Sequence, residues 1–437
     1  MVSIELIDWG IWLVYLALIS LILFFYRISR EEEHYRFFLF GFSFKVLGGL
    51  AFALVYIYYY AGGDSIEYFK NSSVMVEAFM NSPGDYLSLM TSASSELPAE
   101  LASYADRMGY SSGQEEWFMV RVLSVFNLFG FNSYLVTTLL VSLLSFWGSW
   151  KLFLVMGKRV QNKMWAFLAV FVTPSVVFWG SGILRDTVVT VALSIFIWSF
   201  YLIFFERRIK FVNFVILVLS GFFAYRTKSY VLILFLPAMA LALFVLLRRG
   251  IRVAILRVLA GPLLVLMLGI SGYLGIIYLS NASSKYELQG IEKKVKGFHS
   301  WHTFQGGSVY DLGEIEYTAI GVLSKVPAAV NVTLFRPYIW ESNNIVMLLG
   351  ALESLACLIL FIRLLVIRYN SISFLVKDPF ILMLLIYVIV LGFVVGFISF
   401  NFGALVRYKI PMLSMFTFIL LALNFDSNYL KYNADKN

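Results

Sequence analysis

The sequence predicts an all-α fold, a polytopic transmembrane helical bundle of about eleven spans with the N-terminus outside and the C-terminus cytoplasmic. Three observations predict it. Hydrophobic residues make up 60% of the 437-residue chain and charged residues 14%, giving a mean hydropathy of +0.83. A soluble domain is typically about 25% charged. Apolar runs recur from end to end, many close to the roughly 20 residues that cross a hydrocarbon core. The cations gather in short clusters beside those runs, as the positive-inside rule requires of cytoplasmic loops.

Taken in order, the apolar runs cover roughly 9–26, 37–60, 132–156, 164–181, 187–205, 211–224, 229–247, 253–279, 344–366, 380–400 and 409–424. The sixth is short. The first follows Glu5 and Asp8, with no cation before Arg27, so it lacks the basic n-region of a cleavable signal peptide. An outside N-terminus places Arg27–Arg36, Lys158–Lys163, Arg207–Lys210, Arg248–Arg257 and Arg363–Lys377 on the cytoplasmic side. The whole chain, 1–437, reads as one integral membrane domain. Two long outer loops interrupt it, 61–131 and 280–343, both expected to carry helices along the membrane surface. No internal repeat is visible, so the inverted-repeat pattern of many transporters is missing.

Composition also excludes function classes. A net charge of +8 invites a nucleic-acid reading, but the basic residues flank apolar runs, and no nucleic-acid partner is expected. The single cysteine, Cys357, rules out an intramolecular disulfide and a CxxC redox motif.

Five arginines stand apart from the cytoplasmic clusters. Arg121 lies in WFMVRVLSVFN, Arg185 in FWGSGILRD, Arg226 in FFAYRTKSY, Arg336 in LFRPYIWE and Arg407 in NFGALVRYK. The topology puts all five at the outer ends of apolar segments, against the orientation bias. Guanidinium groups at the lipid–water boundary suit a phosphate or diphosphate, which Arg grips bidentately. The plainer explanation is that each side chain snorkels to headgroups by itself.

Acids and histidines offer further chemistry. Asp64 opens the first outer loop in GGDSIEYF, where a carboxylate can act as general base on a sugar hydroxyl or hold a divalent cation. It is equally a natural helix N-cap, with Glu67 completing a capping box. TPSVVFWGSGILRDT places Pro174, Gly180 and Gly182 where a bent helix end can present backbone amides, and Arg185 beside Asp186 can form a local ion pair. His299 and His302, in the second outer loop, can transfer protons near neutral pH. No third ligand stands at a telling spacing, so no metal site is read there. Lys45 and Glu353 fall near the middle of their spans and are expected to pair, since an isolated charge at that depth is costly.

Lys45 with GGDSIEYF, PSVVFWGSGILRD, FRPYIWESNN with Glu353, and NFGALVRYKIP together resemble a loosely defined group of bacterial membrane proteins of exopolysaccharide and O-antigen synthesis. The likeness extends to O-antigen polymerases and to GT-C-type glycosyltransferases, which use polyprenyl-linked sugar donors. The resemblance implies an outer-face site that binds polyprenyl (di)phosphate and transfers a glycan. Arg185, Arg336 and Arg407 would hold phosphate, and Asp64 would stand where those enzymes carry their first-loop acid. The chain departs from the pattern in two ways: Asp64 has no adjacent acid, and little sequence follows Asn424.

The resulting expectation is an enzyme of the bacterial inner membrane, either a repeat-unit polymerase or a glycosyltransferase with a lipid-linked donor. Its catalytic candidates are Asp64 and His302, its phosphate-binding candidates the five arginines. Its partners would be a polyprenyl-(di)phosphate-linked glycan, membrane lipid and components of a polysaccharide export machinery. The sequence calls for no particular cofactor and leaves a divalent cation at Asp64 open. The rival readings are a glycolipid carrier or flippase, and a non-catalytic subunit of an assembly machine. A carrier needs polar groups along a path across the membrane; an enzyme needs them on one face.

Overall fold

The computed structural model describes residues 3–92, 99–111, 113–248, 309–314, 319–373 and 377–426. Among them the regular structure is all helical, apart from one isolated antiparallel bridge between Val309 and Asn401. Seven helices are long and apolar enough to cross a membrane, and a bent pair would make an eighth, so the protein is a membrane protein. The run 253–279, His299 and His302 lie outside the described residues.

The chain divides into two compact units. The first holds residues 1–158 and 163–232, the second 159–162 and 233–437. In the first unit α1 (Leu6–Ile28), α2 (Phe38–Leu54) and α10 (Arg185–Phe204) pack on the central α7 (Tyr134–Met156). Helix α7 is buried on most of its circumference, as suits a helix ringed by partners. α1 is mostly exposed, its leucines and phenylalanines presenting an apolar face suited to lipid.

The segment 61–131 is built largely of helices, as expected of it. Tyr134 follows α3 (Asp64–Asn81), α4 (Pro83–Thr91), α5 (Ala99–Asp106) and α6 (Gln114–Phe129). α3 packs on α6 through a polar seam. There the Asn127 amide donates to Ser72 (3.1 Å) and Asn132 (3.0 Å), and its oxygen accepts from Thr137 (3.0 Å).

One expected span takes a different form. The run 164–181 is broken into α8 (Met164–Phe167), a π-turn and α9 (Pro174–Phe178), followed by an irregular turn to Arg185. Pro174 lacks the amide proton a continuous helix would need. Non-helical backbone at membrane depth is tolerated only where protein satisfies its polar groups, and side chains of neighbouring helices do so here. Lys45 Nζ donates to Val176 O (3.1 Å), Ser142 Oγ to Ser181 O (2.8 Å), Ser145 Oγ to Gly180 O, and Thr187 Oγ1 to Gly182 O (2.8 Å). Small residues permit the approach: a Cβ on Gly182 would lie 2.0 Å from the Phe52 ring, and one on Gly48 2.2 Å from Val177 O.

The runs 211–224 and 229–247 fall in one helical stretch, α11 (Phe211–Arg248), in which two helices meet across a kink at Lys228 (φ −151°, ψ 89°), between the two runs. The stretch is counted once among the seven candidate spans, at 37 residues from Phe211 to Leu247, with the kink inside it.

The second unit packs α13 (Val326–Phe335) against α14 (Ile345–Val366) and α15 (Pro379–Ile398), with α12 (Ala319–Ser324) leading into α13. α17 (Ile410–Phe425) lies against α14 and α15, and meets the short α16 (Phe402–Tyr408) at a 72° bend. Backbone contact again sets the packing, since a Cβ on Gly396 would fall 2.1 Å from Ala329 O.

Candidate functional site

The richest gathering of charge in the first unit lies where α3, α6 and α10 begin and α11 kinks. Gly63 turns the chain into α3 with φ +92°, a conformation open to glycine at little cost. It is Gly63, not Asp64, that occupies the N-cap, and the Glu67 amide donates to Gly63 O. Asp64 is therefore the first helical residue, and Glu67 faces Lys70 (2.7 Å) in place of closing a capping box. The half-buried Asp64 carboxylate accepts from Tyr110 Oη at 3.2 Å, and the Tyr110 ring lies 4.7 Å from that of Tyr68. Burial first, and then the Asp64 carboxylate, raise the pKa of Tyr110, so its phenol stays protonated and donates.

Arg185 opens α10 beside this pair. Its Nη1 lies 2.8 Å from the Glu116 carboxylate and 3.3 Å from that of Glu115. Glu115 also accepts from the amide and hydroxyl of Ser229, at 3.2 and 3.1 Å. The next residue, Asp186, is buried and turned to the buried Lys228, Nζ to Oδ1 at 2.6 Å. The structure thus resolves the Arg185–Asp186 neighbours into two crossed pairs, each reaching a distant segment. α6, α10 and the kink of α11 are bound together by them.

A cavity of about 750 Å3 begins one turn away on each of these three helices. On α6 it starts at Phe118, two residues past Glu116. On α10 it starts at Val188, three past Arg185. On α11 it ends at Arg226, two before Lys228. Its walls are aliphatic and aromatic except for Ser220 and two arginines, Arg121 and Arg226. Arg121 is buried; its Nε donates to Leu89 O (2.9 Å), its Nη2 to Ser92 O, and its guanidinium lies over the Trp117 ring. It therefore closes the end of α4, and does not snorkel outward. Burial, and then the neighbouring Arg226, lower its pKa to about 10, which leaves it charged at neutral pH. Arg226 is half-buried over the Phe118 ring at 5.5 Å, with no hydrogen bond or ion pair among the described residues.

The remaining candidates lie in the second unit. Arg336 ends α13, with Nε 3.1 Å from both Glu341 oxygens and Nη2 on Oε1, and it lies over the Phe402 ring at 5.1 Å. Burial pushes the Glu341 carboxyl up, but the Arg336 hydrogen bond and the Tyr338 amide outweigh it and hold its pKa low. Arg407 lies in α16, beside the Tyr408 ring. Glu353 of α14 shares the interior of the unit with the buried Lys409, whose Nζ lies 3.3 Å from Ser354 Oγ. Lys45 and Glu353 thus belong to different units, and each has company in its own.

Among the described residues no three His, Cys, Asp or Glu side chains are grouped to hold a metal ion. No family model, curated protein or solved structure matches this chain. The sequence pointed to Asp64, Arg121, Arg185 and Arg226, and the structure gathers all four in the first unit. It missed Glu115, Glu116, Tyr110 and Lys228. A signal was there for Lys228, a second cation two residues from Arg226.

Proposed function

We propose that the protein is an integral membrane enzyme of cell-surface polysaccharide assembly, a glycan polymerase or glycosyltransferase acting on polyprenyl-(di)phosphate-linked sugars at the outer face of a bacterial inner membrane. The observation that carries this reading is the placement of the charged cluster of Asp64, Arg185, Glu115 and Glu116 directly beside an apolar cavity. A lipid-linked sugar has the same two halves, a polar head where chemistry occurs and a hydrocarbon chain that must stay out of water.

In this reading Asp64 takes the proton from an acceptor hydroxyl. The acceptor oxygen then attacks C1 of the donor sugar, and the bond from C1 to the phosphate oxygen breaks with its electron pair leaving on the lipid phosphate. Guanidinium groups stabilise that developing charge. Arg185 can join them by exchanging a carboxylate for the phosphate. Lys45, deep in α2, is engaged by Val176 O, and Lys228, at the kink of α11, is engaged by Asp186. That favours chemistry at one end over a polar route through the bilayer.

The test is reconstitution in nanodiscs with a polyprenyl-diphosphate oligosaccharide and an acceptor glycan. The wild-type protein should lengthen the acceptor and release polyprenyl diphosphate, and Arg185→Ala should not. Transport of the intact donor across a sealed bilayer with no new glycosidic bond would establish the carrier reading instead.

A further inference from the structure

Two arginines share the cavity between α6, α10 and α11, and among the described residues its lining includes no carboxylate. Like charges in a low-dielectric pocket repel and lose hydration, so an arrangement of this kind calls for an anion. The anion must also tolerate the rest of the walls. From Arg226 the cavity runs down α11 past Phe222 and Leu219 to Ile216, ten residues or roughly 15 Å of helix. Nothing charged lines that stretch among the described residues. Its volume is within the roughly 300–1,000 Å3 of ordinary ligand pockets.

Helix α11 is built to leave this space open. Its first part, up to the kink, is pinned at one end by Ser199 Oγ donating to Asn213 O (2.6 Å) and at the other by Lys228 on Asp186 and Ser229 on Glu115. Arg226 lies at the pinned, charged end. The fork of Arg121 is half committed to Leu89 and Ser92, which fixes its orientation, whereas Arg226 is restrained by the Phe118 ring. One guanidinium is preorganised and the other is placed to close on a ligand.

We infer that this cavity binds a single-chain lipid phosphate, with Arg121 and Arg226 gripping the phosphate and the chain lying along α10 and α11. The choice of a polyprenyl chain rests on the function proposed above; the phosphate and the long chain rest on the cavity itself. Phosphate recognition is thereby assigned to this pair, while Arg185 stays with Glu115 and Glu116 at the reacting end.

The experiment is direct binding of a long polyprenyl monophosphate to the full-length protein in nanodiscs, with no sugar present. It is read by native mass spectrometry and by competition with the matching polyprenol, diacyl phosphatidic acid and inorganic phosphate. The polyprenyl phosphate should bind, and each competitor should displace it poorly. Arg226→Gln should weaken binding roughly tenfold or more. Val125→Trp, at a partly exposed position on the wall, should block the chain without disturbing the core. Thermal midpoints measured in nanodiscs without polyprenyl phosphate confirm that both variants are folded. Equal competition by polyprenol would remove the arginines from the site. Equal competition by phosphatidic acid would make it a general anionic-lipid groove, and by inorganic phosphate would remove the chain. Wild-type affinity in both variants also overturns the assignment. Because no turnover is involved, a protein that binds but does not transfer glycan fails the functional proposal alone, and one that transfers but does not bind here fails this inference alone.

Discussion

Lys228 Nζ lies 2.6 Å from the Asp186 carboxylate, with both side chains buried, at the residue where α11 departs from helical geometry. The pair holds a backbone irregularity and a helix start in one place. Removing one partner strands the other charge, which costs about 3–5 kcal/mol in a buried setting. Asp186→Asn or Lys228→Met alone should therefore sharply lower the yield of folded protein. The double variant Asp186→Leu with Lys228→Met should recover much of it. Equal or additive losses in a size-exclusion and melting assay would show that the two act independently.

Asp64 is not the cap of α3, so its conservation of charge can be tested without a capping artefact. Asp64→Asn keeps an acceptor for Tyr110 and leaves the Gly63 turn untouched. Glycan formation should fall by at least about a hundredfold, the range of general acid–base contributions, with an unchanged melting temperature. Wild-type product would reduce the carboxylate to a hydrogen-bond acceptor.

Glu341 has a pKa lowered in the folded state, so it stabilises above the ordinary carboxyl pKa, and that contribution is lost as pH falls through its depressed value. Glu341→Gln should melt below wild type at neutral pH by a shift of a few degrees. The gap should close on acidification below about pH 4. A gap independent of pH would assign the loss to packing around Arg336 and Phe402.

The proposed orientation predicts labelling from opposite sides. In a Cys357→Ser background, a cysteine at Gly62, which has open space around it, should react with an impermeant maleimide from outside. One at the exposed Arg208 should react from the cytoplasm alone. The reverse pattern would invert the topology and move the Asp64 cluster to the cytoplasmic face.

Most membrane-crossing helices were legible in the sequence because hydropathy is a property of composition within a window, and Leu6–Ile28, Ile345–Val366 and Pro379–Ile398 follow their apolar runs closely. What holds the broken segment after Met164 was not legible. Its stability depends on Lys45, Ser142 and Ser145, which lie far away in sequence and donate to carbonyls that no periodicity reveals. Arg185 looked alone for the same reason, its partners Glu115 and Glu116 standing some 70 residues earlier. Pro174 with Gly180 and Gly182 did mark the irregular backbone, but not what would satisfy it.

The two walls of the charged cluster differ in stiffness. On one side, Gly48 and Gly182 let α2 and the broken segment meet with no slack, and four side chains fasten its carbonyls. Sliding by even a fraction of a residue would break several of these bonds at once, so Arg185 and Asp186 are mounted on an anvil. Across from them, the first part of α11 is tethered at its ends and carries Arg226 between them. A bulky molecule therefore meets less resistance along the stretch of α11 between those tethers than against the broken segment, and Arg226, close to the Lys228 tether, stays at the fixed end of it.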